Sequence, residues 1–299
     1  MKILIVLLLS LLLTACSAPP VQEEAVVEPP AAEMPQETPV EPPAAPPEQT
    51  IRYEADTTLF ADTLYAEDGT QLLHYTAHIP YLSAWREDGT EITEAQSPQE
   101  EQALAAVQAF HDRFAVWYAD EALGETAEAA KEDYRWRQEE NMDWYGGYQL
   151  ELNCSVYQTE HLVSISGVYY ANTGGAHPNV YLLGWNFDLA NGTFFGAEGL
   201  AGHPELREAV AAELLRQAQK RAEEDGWAPE ELFWPEYESI LADWPSYAVS
   251  FAEGGMTVSF SPYELAPYAV GVQEFFLPYD FLADYLDEPE KVTLGLAAE

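Results

Sequence analysis

The chain has 299 residues, with 52 acidic and 12 basic side chains and a formal net charge of −40. A field of that sign argues against nucleic acid and anionic membrane surfaces as electrostatic partners and favours cationic ones. It also favours a soluble monomer.

Lys2 precedes an apolar run, Ile3 to Leu13, interrupted only by Ser10. Eleven residues are too few to span a bilayer, which takes roughly 20, and the run matches the charged and apolar regions of a secretory signal. It ends in Leu13-Thr14-Ala15-Cys16, which resembles a bacterial lipobox. The resemblance implies a signal peptide at residues 1–15, cleavage before Cys16, and lipid on its sulfur and new amino group. The alternative is an ordinary signal with an incidental cysteine. More than one acyl chain anchors stably, so the expected location is the cell membrane or outer membrane, facing outside the cytoplasm. Beyond Cys16, residues 17–49 hold ten prolines, seven glutamates and no lysine or arginine. That composition buries too little apolar surface to offset ordering entropy, which predicts a disordered Pro/Glu-rich tether over 16–49. Fully extended it reaches roughly 100 Å. Residues 50–299 keep 45 acids and 11 bases. Without Cys16, Cys154 is alone, so no internal disulfide is expected, and its strand-like setting suits a small buried hydrophobe.

The folded part opens with β signals over 57–95. Glu67-Asp68-Gly69-Thr70 and Glu87-Asp88-Gly89-Thr90 separate apolar runs, as hairpin turns do, and Asn191-Gly192 repeats the device. His74 and His78 share a strand face about 13 Å apart, too far to chelate one ion. Ser97-Pro98-Gln99-Glu100 predicts a capped helix start, with Leu104, Val107, Phe110, Phe114 and Trp117 on its apolar face. Gly124 is expected to interrupt it before a second helix over 125–141. Two alternating runs follow between Tyr148 and Tyr170, then a strand over 180–189. Pro204 begins a helix with Leu206, Val210, Leu214 and Ala218 at i, i+4 spacing, stopping at Gly226. A short helical or looped segment over 230–241 follows, then a hairpin of 248–251 with 256–260, a strand over 272–277 and a helix over 279–286. Strands in hairpins with helices between groups predict an α+β fold of antiparallel sheets, in two closely packed subdomains divided near residue 145.

The stretch Tyr170-Ala171-Asn172-Thr173-Gly174-Gly175-Ala176-His177-Pro178-Asn179 is the best candidate for a special site. Paired glycines supply positive φ or permit close backbone approach. His177 admits two roles, a general base or a loop-fixing hydrogen bonder. Serine-acylation motifs, HExxH and a close sequence cluster of metal ligands are absent, as are lysine-bearing phosphate loops. Neither a catalytic residue nor a metal or other cofactor is therefore assigned. The acids are too many to select a glycosidase pair. The 38 aromatics could supply a binding platform as well as core.

Two motifs carry a family resemblance. One runs from Val163-Ser164-Ile165-Ser166 through Gly174-Gly175-Ala176-His177-Pro178-Asn179 to Asn186-Phe187-Asp188-Leu189 and Gly192. The other is Val258-Ser259-Phe260, Pro262-Tyr263-Glu264-Leu265-Ala266-Pro267-Tyr268-Ala269 and Gly271, then Phe276-Leu277-Pro278-Tyr279. Together they resemble the extracytoplasmic domain at the C-terminal end of RsiV-type anti-sigma factors, a domain of unknown function also found in bacterial lipoproteins and in some peptidoglycan deacetylases. The resemblance covers roughly residues 145 to 288, within a C-terminal domain of 146–299 that follows an N-terminal hairpin-plus-helix part, 50–145. It implies an outward-facing domain that binds lysozyme, a basic protein. It nominates Tyr170, Gly174, Gly175, His177, Asn179, Pro262, Tyr263, Tyr268 and Gly271 as a binding or structural loop pair. No cytoplasmic sigma-binding segment, transmembrane helix or deacetylase domain is recognisable, so those activities are not carried over. The leading expectation is a lipid-anchored, non-catalytic module for a basic protein or the cell wall. The alternatives are an envelope hydrolase acting on peptidoglycan and a structural lipoprotein with an unrelated partner.

Overall fold

A computed structural model describes residues 50–200 and 203–296. The expected signal, Cys16 and the tether lie outside the described residues. Two sheets carry the fold. The first opens with β1 (Arg52–Tyr65) and β2 (Gln71–Trp85), joined through a turn in which Ala66 N–H donates to Thr70 O and Gly69 takes φ +85°. The second Asp-Gly device makes the same turn, from Arg86 N–H to Thr90 O, but returns only as a single bridge, Trp85 to Glu91. Ser97 stops the chain from continuing as strand: its hydroxyl accepts the Glu100 N–H and starts α1 (Pro98–Val116).

α1 buries Ala103, Ala106, Phe110 and Phe114, with Leu104 and Val107 at the margin. The buried face is thus centred on alanines that let the helix approach the sheet. Gly124 does not interrupt the helix. The chain winds through a π-helical segment, Trp117–Gly124, directly into α2 (Glu125–Glu139). β3 (Tyr148–Gln158), β4 (Leu162–Asn172), β5 (Asn179–Asp188) and the short β6 (Thr193–Phe195) complete a six-stranded sheet in sequence order. Every pair is antiparallel except β2 with β3, where Leu73 opposes Tyr148 and Ala77 opposes Leu152 in parallel. The helices between those two strands supply the long crossover that parallel pairing needs. The sheet therefore draws strands from both sides of residue 145. Cys154, on β3, is half-buried, and burial pushes its thiol up to about 12, away from thiolate chemistry.

After α3 (Ala197–Leu200), the long α4 (Pro204–Glu224) lays Leu206, Val210, Leu214, Ala218 and Ala222 into one core. α5 (Pro229–Leu232) and α6 (Tyr237–Ala242) follow it. The other wall of that core is a three-stranded antiparallel sheet of β7 (Ala248–Ala252), β8 (Gly255–Phe260) and β9 (Gln273–Pro278), with Val258, Phe260, Phe275 and Leu277 inward. Gln217 and Arg221 of α4 donate to the Phe276 and Glu274 carbonyls, which caps the outer edge of β9. The expected last helix stops early, as α7 (Tyr279–Leu282), because Asp287 restarts the chain as α8 (Glu288–Thr293) through a reciprocal cap with Glu290. Among the described residues no helix is long and apolar enough to cross a membrane.

The two sheets meet along β5. Asn186 is buried; its Oδ1 accepts the Ser164 hydroxyl at 2.7 Å and its amide donates to Val249 O at 3.0 Å, while Phe251 N–H donates to Ser164 Oγ at 2.7 Å. Two residues earlier, Gly184 lies against β7 so closely that a Cβ there would stand 2.3 Å from Val249 O. Removing one member of a satisfied buried set leaves the others unpaired. Asn186→Ala should therefore lower stability by about 3 kcal/mol in urea denaturation. A loss under about 0.5 kcal/mol would show that the seam is dispensable.

A part-buried ion pair fixes the start of α1. Arg86 Nε and Nη2 donate to the two Glu100 carboxylate oxygens at 2.8 and 2.9 Å, and Gln96 N–H donates to Oε2 at 2.7 Å. These bonds, Arg86 first, hold the Glu100 carboxyl below the usual carboxylate range. A carboxyl whose folded value is lowered stabilises fully above its unfolded value, about 4.3, and loses that contribution as pH falls through the folded one. Glu100→Gln should be less stable than wild type at pH 7, with the gap narrowing toward pH 3. A gap that stays constant over that range would refute the assignment.

Candidate functional site

The β4–β5 hairpin closes over residues 173–178, with Ala171 opposite Asn179. Asn172 Oδ1 accepts the Gly174 N–H at 3.1 Å and Gly174 takes φ +79°. Its missing side chain also matters, since a Cβ would meet the Tyr145 ring at 2.3 Å. Tyr145 covers the loop with its hydroxyl 3.0 Å from both Asp133 Oδ2 and Thr173 O. Burial, then the hydrogen bond to Asp133, pushes that phenol above its ordinary value, so it remains a donor. Gly175 does not share the role of its neighbour, because a Cβ there meets only His177 O, at an ordinary 3.6 Å.

His177 turns inward and is half-buried. Its Nδ1 lies 3.0 Å from Pro178 O and its Nε2 2.9 Å from the Tyr263 hydroxyl. A carbonyl can only accept, so in the neutral ring Nδ1 carries the proton and Nε2 accepts from Tyr263. The ring stacks on Tyr268 with centroids 3.8 Å apart and planes 19° apart. Both nitrogens are thus engaged, and the geometry is that of a loop fastener rather than a free base. Among the described residues, His177 belongs to no cluster of metal-ligating side chains.

The partner loop runs from Ser261 to Val272. Ser261 Oγ accepts the Leu182 N–H of β5 at 3.0 Å, tying this loop to the same strand. Tyr263 takes φ +76°, which is unfavourable for an aromatic residue. It is held there from two sides: its N–H donates to Ala266 O at 2.9 Å, and its carbonyl accepts the Trp234 indole N–H at 2.9 Å. The strain delivers a ring that is 54% exposed yet bonded to His177. Gly271, at φ +79°, ends the turn Tyr268–Val270 and sends the chain into β9.

Between the loops lies a cavity of about 270 Å³ lined by Asn179, Val180, Tyr181, Pro262, Tyr263, Glu264 and Tyr268. Asn179, Tyr181 and Glu264 also line an adjoining cleft of about 490 Å³, which reaches Trp117, Glu125, Thr126 and Tyr169. Its aromatic wall is continuous: Trp117 meets Tyr169 edge-on at 5.9 Å, and Tyr169 stacks on Tyr181 at 5.9 Å. Of the nominated residues, His177, Asn179, Pro262, Tyr263 and Tyr268 come together here, while Gly174 and Gly271 shape the two loops without lining the cavity. Tyr170 does not join them. It pairs with Glu151 and Val180 on β4, on the face opposite Tyr169, and makes no ring contact with the cluster. Trp117, Glu125, Tyr181 and Glu264 line the cleft but are not among the nominated residues, although Trp117 stands on the expected apolar face of α1 and Glu264 inside the second motif. A further hint was Gly124, whose place inside a helical run falls in the π-helical segment beside the cleft, a feature frequent at functional sites.

The strain at Tyr263 has a measurable sign. At positive φ, glycine is favoured over alanine, the reverse of the usual order. Tyr263→Gly should be more stable than Tyr263→Ala by about 1 kcal/mol in urea denaturation. Equal stability, or a more stable alanine variant, would mean the backbone relaxes out of that conformation.

Comparisons with known proteins identify part of the chain. Residues 195–280 match the family model described as "Protein of unknown function (DUF3298)". No curated protein matches the chain. The crystal structure of a DUF3298 family member from Bacteroides fragilis NCTC 9343 superposes with a TM-score of 0.57 at 14% identity, covering 84% of this chain and 100% of that one. A DUF3298 family protein from Pseudomonas aeruginosa PAO1 gives a TM-score of 0.37 at 18% identity, covering 80% of this chain and 95% of that one. The likeness to the Bacteroides protein shows a shared fold. The chain thus carries a DUF3298 domain, a domain of unknown function, at residues 195–280.

Proposed function

We propose that this protein is a lipid-anchored, envelope-facing binding module for a cationic partner, a basic protein of the lysozyme kind, with the cell wall itself as the other ligand of the same reading. The observation that carries it is the cleft with its adjoining cavity, lined together by the acidic Glu125 and Glu264 and the aromatic Trp117, Tyr169, Tyr181 and Tyr268. Carboxylates beside aromatic faces suit lysine and arginine side chains, through ion pairing and cation–π contact. The surplus of acids over bases in residues 50–299 would steer such a partner from a distance. Tyr263, exposed and strained, suits a rigid anchor at the cleft mouth. The engagement of both His177 nitrogens favours binding over hydrolysis. The RsiV-type resemblance of the two loops motivates the choice of lysozyme, and the lipobox-like Leu13-Thr14-Ala15-Cys16 motivates the anchor.

The test is calorimetric titration of the full chain, in mild detergent, with a lysozyme at about 20 mM and about 150 mM salt. Binding should weaken as salt rises. Tyr263→Ala and Tyr268→Ala should each lower affinity about tenfold or more, and a basic protein of unrelated shape should bind more weakly. Absence of binding at both salts removes the lysozyme reading; retention on purified peptidoglycan would then support the wall. Failure of both overturns the proposal.

A further inference from the structure

Outside the residues that line that cleft, the fold assembles a second group of chemically distinctive side chains. His203 stands at the N-terminal end of α4, and Asp287 and Glu290 cap α8. One ligand atom from each of the three lies within 4.8 Å of those from the other two. Glu290 also lines an open cleft of about 380 Å³, so solvent reaches the group.

We propose that His203, Asp287 and Glu290 form a binding site for a divalent transition-metal ion, Zn2+ being the best fit. One imidazole with two carboxylates is a borderline ligand set, suited to zinc, whereas calcium and magnesium take oxygens alone. Each carboxylate already spends one oxygen on the backbone. Asp287 Oδ1 accepts the Glu290 N–H at 3.2 Å, and Glu290 Oε2 accepts the Asp287 N–H at 3.1 Å. Those bonds orient the remaining oxygens, Asp287 Oδ2 and Glu290 Oε1, of which the second now pairs with His203 and would exchange that bond for the metal. Glu290 Oε1 lies 2.8 Å from His203 Nε2. Ligands about 2.0 Å from a tetrahedral zinc stand about 3.3 Å apart. The His203–Glu290 pair must open by about half an ångström and the longest spacing must close, both within the rotation of side chains that are part-exposed. Water would take the fourth position. The ion would tie α4 to α8 across 84 residues of chain, counted from His203 to Asp287.

A plain ion pair inside a helix cap predicts no metal affinity, so the two readings separate. Asparagine is as good an N-cap as aspartate, and glutamine replaces glutamate in the capping box. Asp287→Asn and Glu290→Gln therefore keep the cap while removing a charged ligand. The metal-stripped full chain is titrated with Zn2+ alone by calorimetry, and its thermal unfolding is followed with and without the ion. The expected result is one saturable site and a raised unfolding temperature. His203→Ala should abolish both, and each cap-preserving variant should lose on the order of tenfold or more in affinity while its metal-free unfolding temperature stays near wild type. Visible absorption of a Co2+-substituted chain, lost in His203→Ala, is the second readout. No saturable binding by the wild type, or equal binding by His203→Ala, Asp287→Asn and Glu290→Gln, overturns the proposal.

Discussion

The hydroxyl of Ser164 and the amide of Asn186 hold the two sheets of this protein together. Each sheet has its own apolar core, one beneath α1 and one beneath α4. Apolar packing is non-directional and would let the sheets slide. The bonds from Ser164 and Asn186 to the backbone of β7 are directional and buried, and they select one register. Gly184 brings β5 against Val249 closely enough for those bonds to form.

β5 then works as a rail. Asn186 and Gly184 grip β7, Leu182 N–H reaches Ser261, and Asn179 lies where the preceding loop delivers His177 to Tyr263 and Tyr268. From Asn186 to Asn179 the strand covers about 23 Å at about 3.3 Å per residue. One short strand thus sets both the joint of the fold and the mouth of the cleft. The left-handed backbone of Tyr263 is affordable only in that setting, because neighbours on both sides over-determine it.

Local features of this arrangement were legible in the sequence. Ser97 with Glu100 announced α1, the four-residue spacing of Leu206, Val210, Leu214 and Ala218 announced the buried face of α4, and the glycine and proline loops marked the residues that meet at His177. What stayed hidden was non-local or degenerate. Strands look alike whether their neighbour is parallel, so the β2–β3 pairing leaves no local mark. A π-helical segment has nearly the composition of an α-helix, and Gly124 reads as a break. Tyr170 and Tyr169 are adjacent, and only the strand's facing decides which reaches the cleft. Two neighbouring glycines look equivalent, yet Tyr145, distant in sequence, makes one indispensable and ignores the other. The approach of His203 to Asp287 and Glu290 depends on how α4 and α8 start, which no spacing rule encodes.

The boundary of the DUF3298 match bears on what the functional unit is. Residues 195–280 contain Tyr263, Glu264 and Tyr268 but not His177, Asn179 or Tyr181. They also contain the Val249 carbonyl and Phe251 N–H but not their partners Asn186 and Ser164. Cut at that boundary, the segment would expose the inner edge of β7, a row of backbone groups built to be paired. It would also keep a strained Tyr263 without the imidazole its hydroxyl meets. Paired buried groups lose more when one side is removed than when both are. The structural unit therefore extends back through β4 and β5, and the cleft, which takes one wall from the first sheet and the other from the loop that follows β8, belongs to that larger unit.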